Sequence, residues 1–255
     1  MDLAGDIPDL NSGLERCSGC PIRNRAVCSY SSPSELVALD EAKFYRDFEA
    51  GQEIVGEGEM TGFVGSVVSG VVALHKTLED GRRQMVGLLF ASDFIGRPLR
   101  PIAPFDAEAV TPVRMCMFHR SKFETLLSGS LNLQRRLLEM TLDELDASRE
   151  WMLLLGRKTA KEKLASYLLI LSRRSDAGGK RATPGKAVLQ NPLTREAIAE
   201  FLGLTIETVS RQFTALRNEG VISLPDRHVV VIEELDVLRE IAGEDEDYDT
   251  GQALA

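Results

Sequence analysis

Leu193-Thr194-Arg195-Glu196-Ala197-Ile198-Ala199-Glu200-Phe201-Leu202-Gly203-Leu204-Thr205-Ile206-Glu207-Thr208-Val209-Ser210-Arg211 is the stretch on which the reading of the chain turns. Thr194 can cap a first helix whose inward face is Ile198, Ala199 and Leu202. Ala199 is small where a second helix must come close, and Gly203 follows where the backbone needs a left-handed residue. Thr205 then caps a second helix that Val209 and Phe213 pack on the first. That order of small residue, glycine and β-branched residue is the steric recipe of a helix-turn-helix. Residues 221–232 read as two strands joined at Pro225-Asp226, enough for a wing; the alternative is an ordinary helical hairpin.

On the second helix Glu207, Ser210 and Arg211 fall on one face. In solvent, Glu207 and Arg211 would form an i,i+4 ion pair. In a major groove, Arg211 can donate twice to guanine, Glu207 can accept from cytosine, and Ser210 can meet a thymine methyl or a phosphate. Thr194, Thr205 and Thr208 are further candidate DNA contacts.

Working back from this segment, residues 158–172 read as a helix, and 173–192 as a linker rich in Gly, Arg, Lys and Pro. Residues 121–156 lack proline and are rich in Leu, Glu and Arg, which predicts one long helix. Within it Leu138, Thr141, Leu145, Ser148 and Met152 are spaced as the a and d positions of a coiled-coil seam, the candidate dimer interface. A second face, with Leu137, Met140, Trp151 and Leu155, can pack on the rest of the chain; burial of the whole helix in its own protomer is the competing reading. Between Lys43 and Phe118 short β-runs alternate with glycines, and Glu79-Asp80-Gly81 is a hairpin turn, which predicts a sandwich or barrel. A short helix is expected over 33–39, capped by Ser34.

The net charge of −9 is unevenly placed: residues 157–186 hold nine basic side chains against two acidic ones. Such a run is either a solvated face or a phosphate-facing surface. No apolar stretch is long enough to span a bilayer. No basic segment followed by an apolar one opens the sequence, so the cytoplasm is the expected compartment. In a reducing compartment the four cysteines read as ligands, nucleophiles or core thiols. Cys17, Cys20 and Cys28 sit together in an arm, and Cys116 lies far away in a strand-like run. Four thiolates suit a [4Fe–4S] or [2Fe–2S] cluster, or tetrahedral zinc; unrelated thiols are the third possibility.

The combined pattern resembles the CRP/FNR family of bacterial regulators, and within it the FNR-type oxygen sensors. The likeness is carried by Ala160-Lys161-Glu162-Lys163-Leu164-Ala165, by Leu202-Gly203-Leu204-Thr205-Ile206-Glu207-Thr208-Val209-Ser210-Arg211, and by the arm Cys17-Ser18-Gly19-Cys20-Pro21-Ile22-Arg23-Asn24-Arg25-Ala26-Val27-Cys28, which is similar to that of alphaproteobacterial members of the FnrL and FnrN type. It implies an α+β chain of five parts: a cysteine-rich cluster-binding arm (1–30), a β-roll of the cyclic-nucleotide-binding kind (31–120), a dimerisation helix (121–157), a winged helix-turn-helix (158–242) and a disordered acidic tail (243–255). It further implies that Cys17, Cys20, Cys28 and Cys116 hold an oxygen-labile [4Fe–4S] cluster. A homodimer would then read a TTGAT-like inverted repeat through Glu207, Ser210 and Arg211, controlling genes of anaerobic or microaerobic metabolism, and Asp80, Gly81, Arg82 and Arg83 would touch RNA polymerase. One departure stands out: family members often carry an acid in the seam where this chain has Ser148, and Asp143, Glu144 and Asp146 are the nearby substitutes.

The rival readings are weaker. A nucleotide sensor of the same family would use a Gly-Glu-Leu turn and a later Arg-Ser pair, but the chain reads Asp93-Phe94-Ile95-Gly96-Arg97-Pro98-Leu99 there. A cupin-like metalloenzyme needs clustered histidines, and only His75, His119 and His228 are present, far apart. A haem sensor would betray itself by a Soret band. An enzyme is therefore not expected.

Overall fold

The computed structural model describes residues 17–176 and 185–244. Residues 1–16 of the arm, 177–184 of the linker and nearly all of the expected acidic tail lie outside the described residues. The arm opens with a 3-10 turn, Cys17–Gly19, and continues in tight turns to Tyr30. Helix α1, Pro33–Ala42, follows. Its cap is Ser32, not the expected Ser34, because Pro33 lacks an N–H and suits the first helical position, leaving the residue before it to cap. The Ser32 hydroxyl accepts from Glu35 N at 3.3 Å, and the Glu35 carboxylate accepts from Ser32 N at 2.6 Å.

Eight strands come next: β1 Lys43–Phe48, β2 Glu53–Val55, β3 Phe63–Ser69, β4 Val72–Thr77, β5 Arg83–Leu89, β6 Phe94–Ile95, β7 Asp106–Ala109 and β8 Val113–His119. They form two antiparallel sheets, β1-β8-β3-β6 and β2-β7-β4-β5, closed over a core that includes Val67, Leu74, Leu89, Ala107 and Met115. This is the expected roll. Gly65 has a packing duty in it: a Cβ there would stand 2.6 Å from the Cys116 carbonyl, so only glycine lets β3 lie this close to β8.

The long helix is interrupted. Helix α2, Arg120–Gly129, ends one residue before α3, Leu131–Arg157, begins. Ser130 between them has extended backbone, φ −131 and ψ 110, and caps α3 by accepting from Leu133 N at 3.1 Å. The expectation of one helix over 121–156 is therefore corrected: Ser128-Gly129-Ser130 supplies a stop and a start without proline. With 27 residues, α3 is about 40 Å long.

Helix α4, Ala160–Asp176, runs past its expected end and absorbs Arg173 and Arg174. The linker also hides a strand, β9 Ala187–Gln190, which completes a three-stranded sheet of order β10-β11-β9 with β10 Ile222–Asp226 and β11 Val229–Ile232. Pro225 is tolerated because β10 is an edge strand with a register shift between Ser223 and Asp226. The turn therefore falls at Arg227-His228 and not at Pro225-Asp226; the Asp226 carboxylate accepts from His228 N at 3.0 Å and shapes it. Helices α5 Arg195–Leu202, α6 Ile206–Asn218 and α7 Leu235–Ala242 complete the domain. Among the described residues no helix is long and apolar enough to cross a membrane.

Candidate nucleic-acid interface and thiol face

Thr194 caps α5 by accepting from Ala197 N at 3.1 Å, and Gly203 ends it in the left-handed region at φ 61. Thr205 caps α6 by accepting from Thr208 N at 3.3 Å. Ile198, Ala199, Leu202, Val209 and Phe213 are buried together, as the sequence requires of a helix-turn-helix. The Arg195 guanidinium lies 3.1 Å from the Phe213 ring centroid and ties α5 to α6 as one block.

Glu207, Ser210 and Arg211 stand exposed on the first turns of α6. No ion pair joins Glu207 to Arg211 among the described residues. Arg211 leans on the Thr208 hydroxyl at 3.3 Å instead, and the Glu207 carboxyl is held below its ordinary range by backbone N–H at the helix start and by Thr205. Thr194 and Thr205 are exposed, while Thr208 is half-buried. Sequence reasoning missed Thr214, which continues the same exposed stripe one turn on, and Arg227 at the exposed wing tip, which the misplaced turn concealed.

Five of the nine basic side chains over 157–186 are taken up within the protein, and Lys180 and Arg181 lie outside the described residues. Lys163 is buried, Arg174 is 8% exposed and pairs with Asp93 at 3.0 Å, Lys161 pairs with Glu219 at 2.6 Å, Lys186 pairs with Glu233 at 2.8 Å, and Arg173 meets Glu244. Burial pushes the Asp93 carboxyl up and the Arg174 guanidinium pulls it back.

At the other end, the arm is packed on the outer face of the roll. Cys116 joins Ile22, Ala26, Val27, Leu39, Val64 and Phe123 in one buried cluster, with Cys20 and Cys28 at its margin. Cys116 on β8 faces Tyr45 across β1 and Ser66 across β3. Burial pushes the Cys116 thiol up to about 12, and Cys17, Cys20 and Cys28 lie near enough to add to the shift. Burial raises Cys17 to about 11 although Lys43 Nζ stands 3.7 Å from its sulfur, and Cys28 is raised for the same first reason. Among the described residues no three Cys, His, Asp or Glu side chains are drawn together closely enough to hold an ion.

The donor chemistry nevertheless suits a thiolate-bound group. Burial makes ionisation of Cys17, Cys28 and Cys116 unfavourable unless positive charge accompanies it, and the buried hydroxyls of Ser29, Ser31 and Ser66 find no hydrogen-bond partner among the described residues. The arm is also fastened to α3. Arg136 donates to the Arg25 carbonyl at 2.7 Å, and the Arg135 and Arg136 guanidinium groups lie 5.6 and 5.7 Å from the Tyr30 ring centroid.

On α3, Leu138 is 60% exposed, Leu145 44% and Met152 66%, while Leu137, Met140, Trp151 and Leu155 pack inward, so the helix is not buried wholly in its own chain. Thr141 and Ser148 turn their hydroxyls to the carbonyls of Leu137 and Glu144, at 2.7 and 2.8 Å, which lowers the cost of placing them in an apolar seam. Leu142, missed in the sequence, belongs to the same exposed stripe. In the β4–β5 turn, Asp80 and Arg82 pair with each other at 2.8 Å and point into solvent, whereas Arg83 folds back to Glu108 at 2.7 Å; Gly81 sits between them at φ +85. A cavity of about 400 Å³ lies between the Asp93–Leu99 segment and α3, and Asp93 and Glu144 in its lining set two carboxylates against Arg97, a poor match to a nucleotide phosphate.

Comparison with known proteins bears on both halves. Residues 162–241 match the Crp-like helix-turn-helix domain, and residues 45–130 match the cyclic nucleotide-binding domain. The chain is 51% identical to the transcriptional activator protein FnrL of Cereibacter sphaeroides, over 92% of this chain and 94% of that one. It is 38% identical to the nitrogen fixation regulation protein FixK of Bradyrhizobium diazoefficiens, over 82% and 86% of the two chains. Among solved structures, FixK2 from Bradyrhizobium japonicum superposes with a TM-score of 0.71 at 33% identity, covering 78% of this chain and 96% of that one. A β-roll, a long helix with an exposed apolar stripe and a capped helix-turn-helix, matched along their length by such relatives, make this chain a member of the CRP/FNR family of DNA-binding transcription regulators.

Proposed function

We propose that the chain is an oxygen-responsive transcriptional activator of the cytoplasm, which binds a TTGAT-like inverted repeat as a homodimer while Cys17, Cys20, Cys28 and Cys116 hold a [4Fe–4S] cluster. The observation that carries this reading is the seating of the arm: Cys20 and Cys28 border the buried cluster that contains Cys116, and the same arm is hydrogen-bonded to the first turns of α3. FnrL, by name a transcriptional activator, supports the activator reading. When bound, the cluster would supply a ligand bridge that oxygen dismantles.

The chain's own residues do the rest. Thiolates from the arm and from β8 tie the arm to the roll, and Arg136 passes that position to α3. The seam of Leu138, Thr141, Leu145, Ser148 and Met152 then pairs with its copy, and Glu207, Ser210 and Arg211 of the two subunits enter successive major grooves about 34 Å apart. Thr194, Thr205 and Thr208 brace the helix starts against phosphate. Asp80, Gly81, Arg82 and Arg83 form the surface offered to RNA polymerase, with Asp80 and Arg82 the outward members. Ser148 is neutral, Asp146 is paired with Arg149 at 2.8 Å and Glu144 lines the cavity beside the roll, which weakens charge repulsion in the seam as a means of separating the subunits. The seam is weak through its hydroxyls, and a hundredfold shift in pairing needs only about 2.7 kcal/mol. In this reading the dimer-forming stretch of 121–157 consists of two helices that meet at Ser130.

Protein purified without air should contain iron and acid-labile sulfide in a ratio near one, be straw-brown and lack a Soret band. Zinc in place of iron, or a Soret band, would refute the reading.

A further inference from the structure

The DNA-binding domain meets the roll at a polar joint that the reading so far leaves unused. The last carbonyls of any helix need donors from outside its own ladder. At the end of α5, Ala199 O accepts from the N–H groups of Gly203 and Leu204, and Leu202 O accepts from the buried Lys163 ammonium at 3.2 Å. The carbonyls of Glu200 and Phe201 turn instead to the roll, where Gln84 Nε2 of β5 lies 2.6 and 3.3 Å from them. The same nitrogen is 3.0 Å from Met85 O. Three carbonyl oxygens around one end of the amide require the NH₂ group there, so the direction of donation is fixed by chemistry. Beside this joint Trp151 stacks on Phe201 with centroids 4.0 Å apart. His75 approaches the Glu200 carboxylate at 3.8 Å, but burial and Arg83 depress its protonation, so at neutral pH the contact is not an ion pair. Gln84 is thus the polar bridge at this joint that does not titrate.

We infer that Gln84 is a positioning residue for DNA reading: by donating to the end of α5 it fixes the angle at which α6 is held on the roll, and so the spacing of half-sites the dimer accepts. The inference rests on the chain being a dimeric reader of a palindrome. Gly203, Leu204 and Thr205 are all that separate α5 from α6, and Arg195 with Phe213 makes the two helices one block. Whatever grips the end of α5 therefore sets where Glu207, Ser210 and Arg211 are delivered. One added base pair moves a half-site by about 3.4 Å and turns it by about 35°, a displacement that a held block rejects and a pivoting block tolerates.

The test uses the full chain prepared without air and three kinds of duplex: a palindrome of TTGAT-like half-sites at its preferred spacing, the same palindrome with one base pair added or removed, and a single half-site. Gln84→Leu and Gln84→Glu remove the donor, and Gln84→Lys replaces it with a cation suited to a helix C-terminus. With two joints per dimer, the Leu and Glu variants should lose about tenfold in affinity for the preferred palindrome, bind the single half-site as the wild type does, and discriminate less between spacings. The Lys variant should recover the wild-type spacing profile. Leu and Glu variants that keep that profile or bind more tightly, or a Lys variant that fails as Leu does, would overturn the inference. A wild-type chain that binds one half-site as well as two would overturn the dimeric reading itself, and this inference with it.

Discussion

The caps and the turn of the helix-turn-helix come from a few turns of chain, whereas the proposed thiol ligands include one from a strand far along the sequence. Thr194, Gly203, Thr205, Val209 and Phe213 cap, turn and pack within a single short segment. Cys20 and Cys28 reach the margin of the cluster that holds Cys116 because Ile22, Ala26 and Val27 seat the arm on the roll beside Leu39 and Val64. The difference matters for switching. On the proposed function, the helix-turn-helix should stay folded when the arm moves, so that what is regulated is where it is held and with what partner.

The largest effect should come from breaking the local end. Phe213→Ala removes a fully buried ring and the Arg195 contact with it, and should cost about 3–5 kcal/mol by chemical denaturation and abolish DNA binding. Cys116→Ala should leave that denaturation curve nearly unchanged yet lower palindrome binding without air by about a hundredfold, read by gel shift or anisotropy. If both changes unfold the same domain, the contrast drawn here is wrong. Arg136→Ala, which cuts the donor to the Arg25 carbonyl, should weaken palindrome binding by about tenfold while the iron content stays at the wild-type level. The smallest effect belongs to Glu35, whose carboxylate completes the α1 capping box and also accepts from Ser130 and from Asn132 at 3.0 Å. These bonds, led by that from Ser130, hold its carboxyl down to about 2. Its contribution is therefore complete above its ordinary value of 4.5 and fades as the pH falls towards 2. Glu35→Gln should cost about 1 kcal/mol at neutral pH, and the gap from wild type should close in acid.

What was legible follows the same contrast. The roll and the capped helix-turn-helix rest on local patterns, and the structure has them where the sequence put them; Leu138, Leu145 and Met152 are exposed on α3, as a seam requires. The break at Ser130 is hidden in the sequence because no proline marks it, Gly129 and Ser130 supplying the stop and the cap instead. Strand β9 was missed because Ala187, Val188, Leu189 and Gln190 lie inside a run whose charges suggested linker. The internal pairing of Lys161, Arg174 and Lys186 could not be read from charge counts, since each partner is distant in sequence. The Glu207–Arg211 pair was a spacing argument, and the Thr208 hydroxyl won Arg211 instead. Gln84 was invisible, as its acceptors are backbone carbonyls on another domain.

In the proposed function, seating the arm biases the pairing of α3. Sedimentation equilibrium on one preparation, before and after a measured admission of air, tests it most directly when iron is followed in the same cell. The dimer should dissociate in step with loss of iron, its monomer–dimer constant weakening by about a hundredfold. A constant that stays the same while the iron is lost would contradict it.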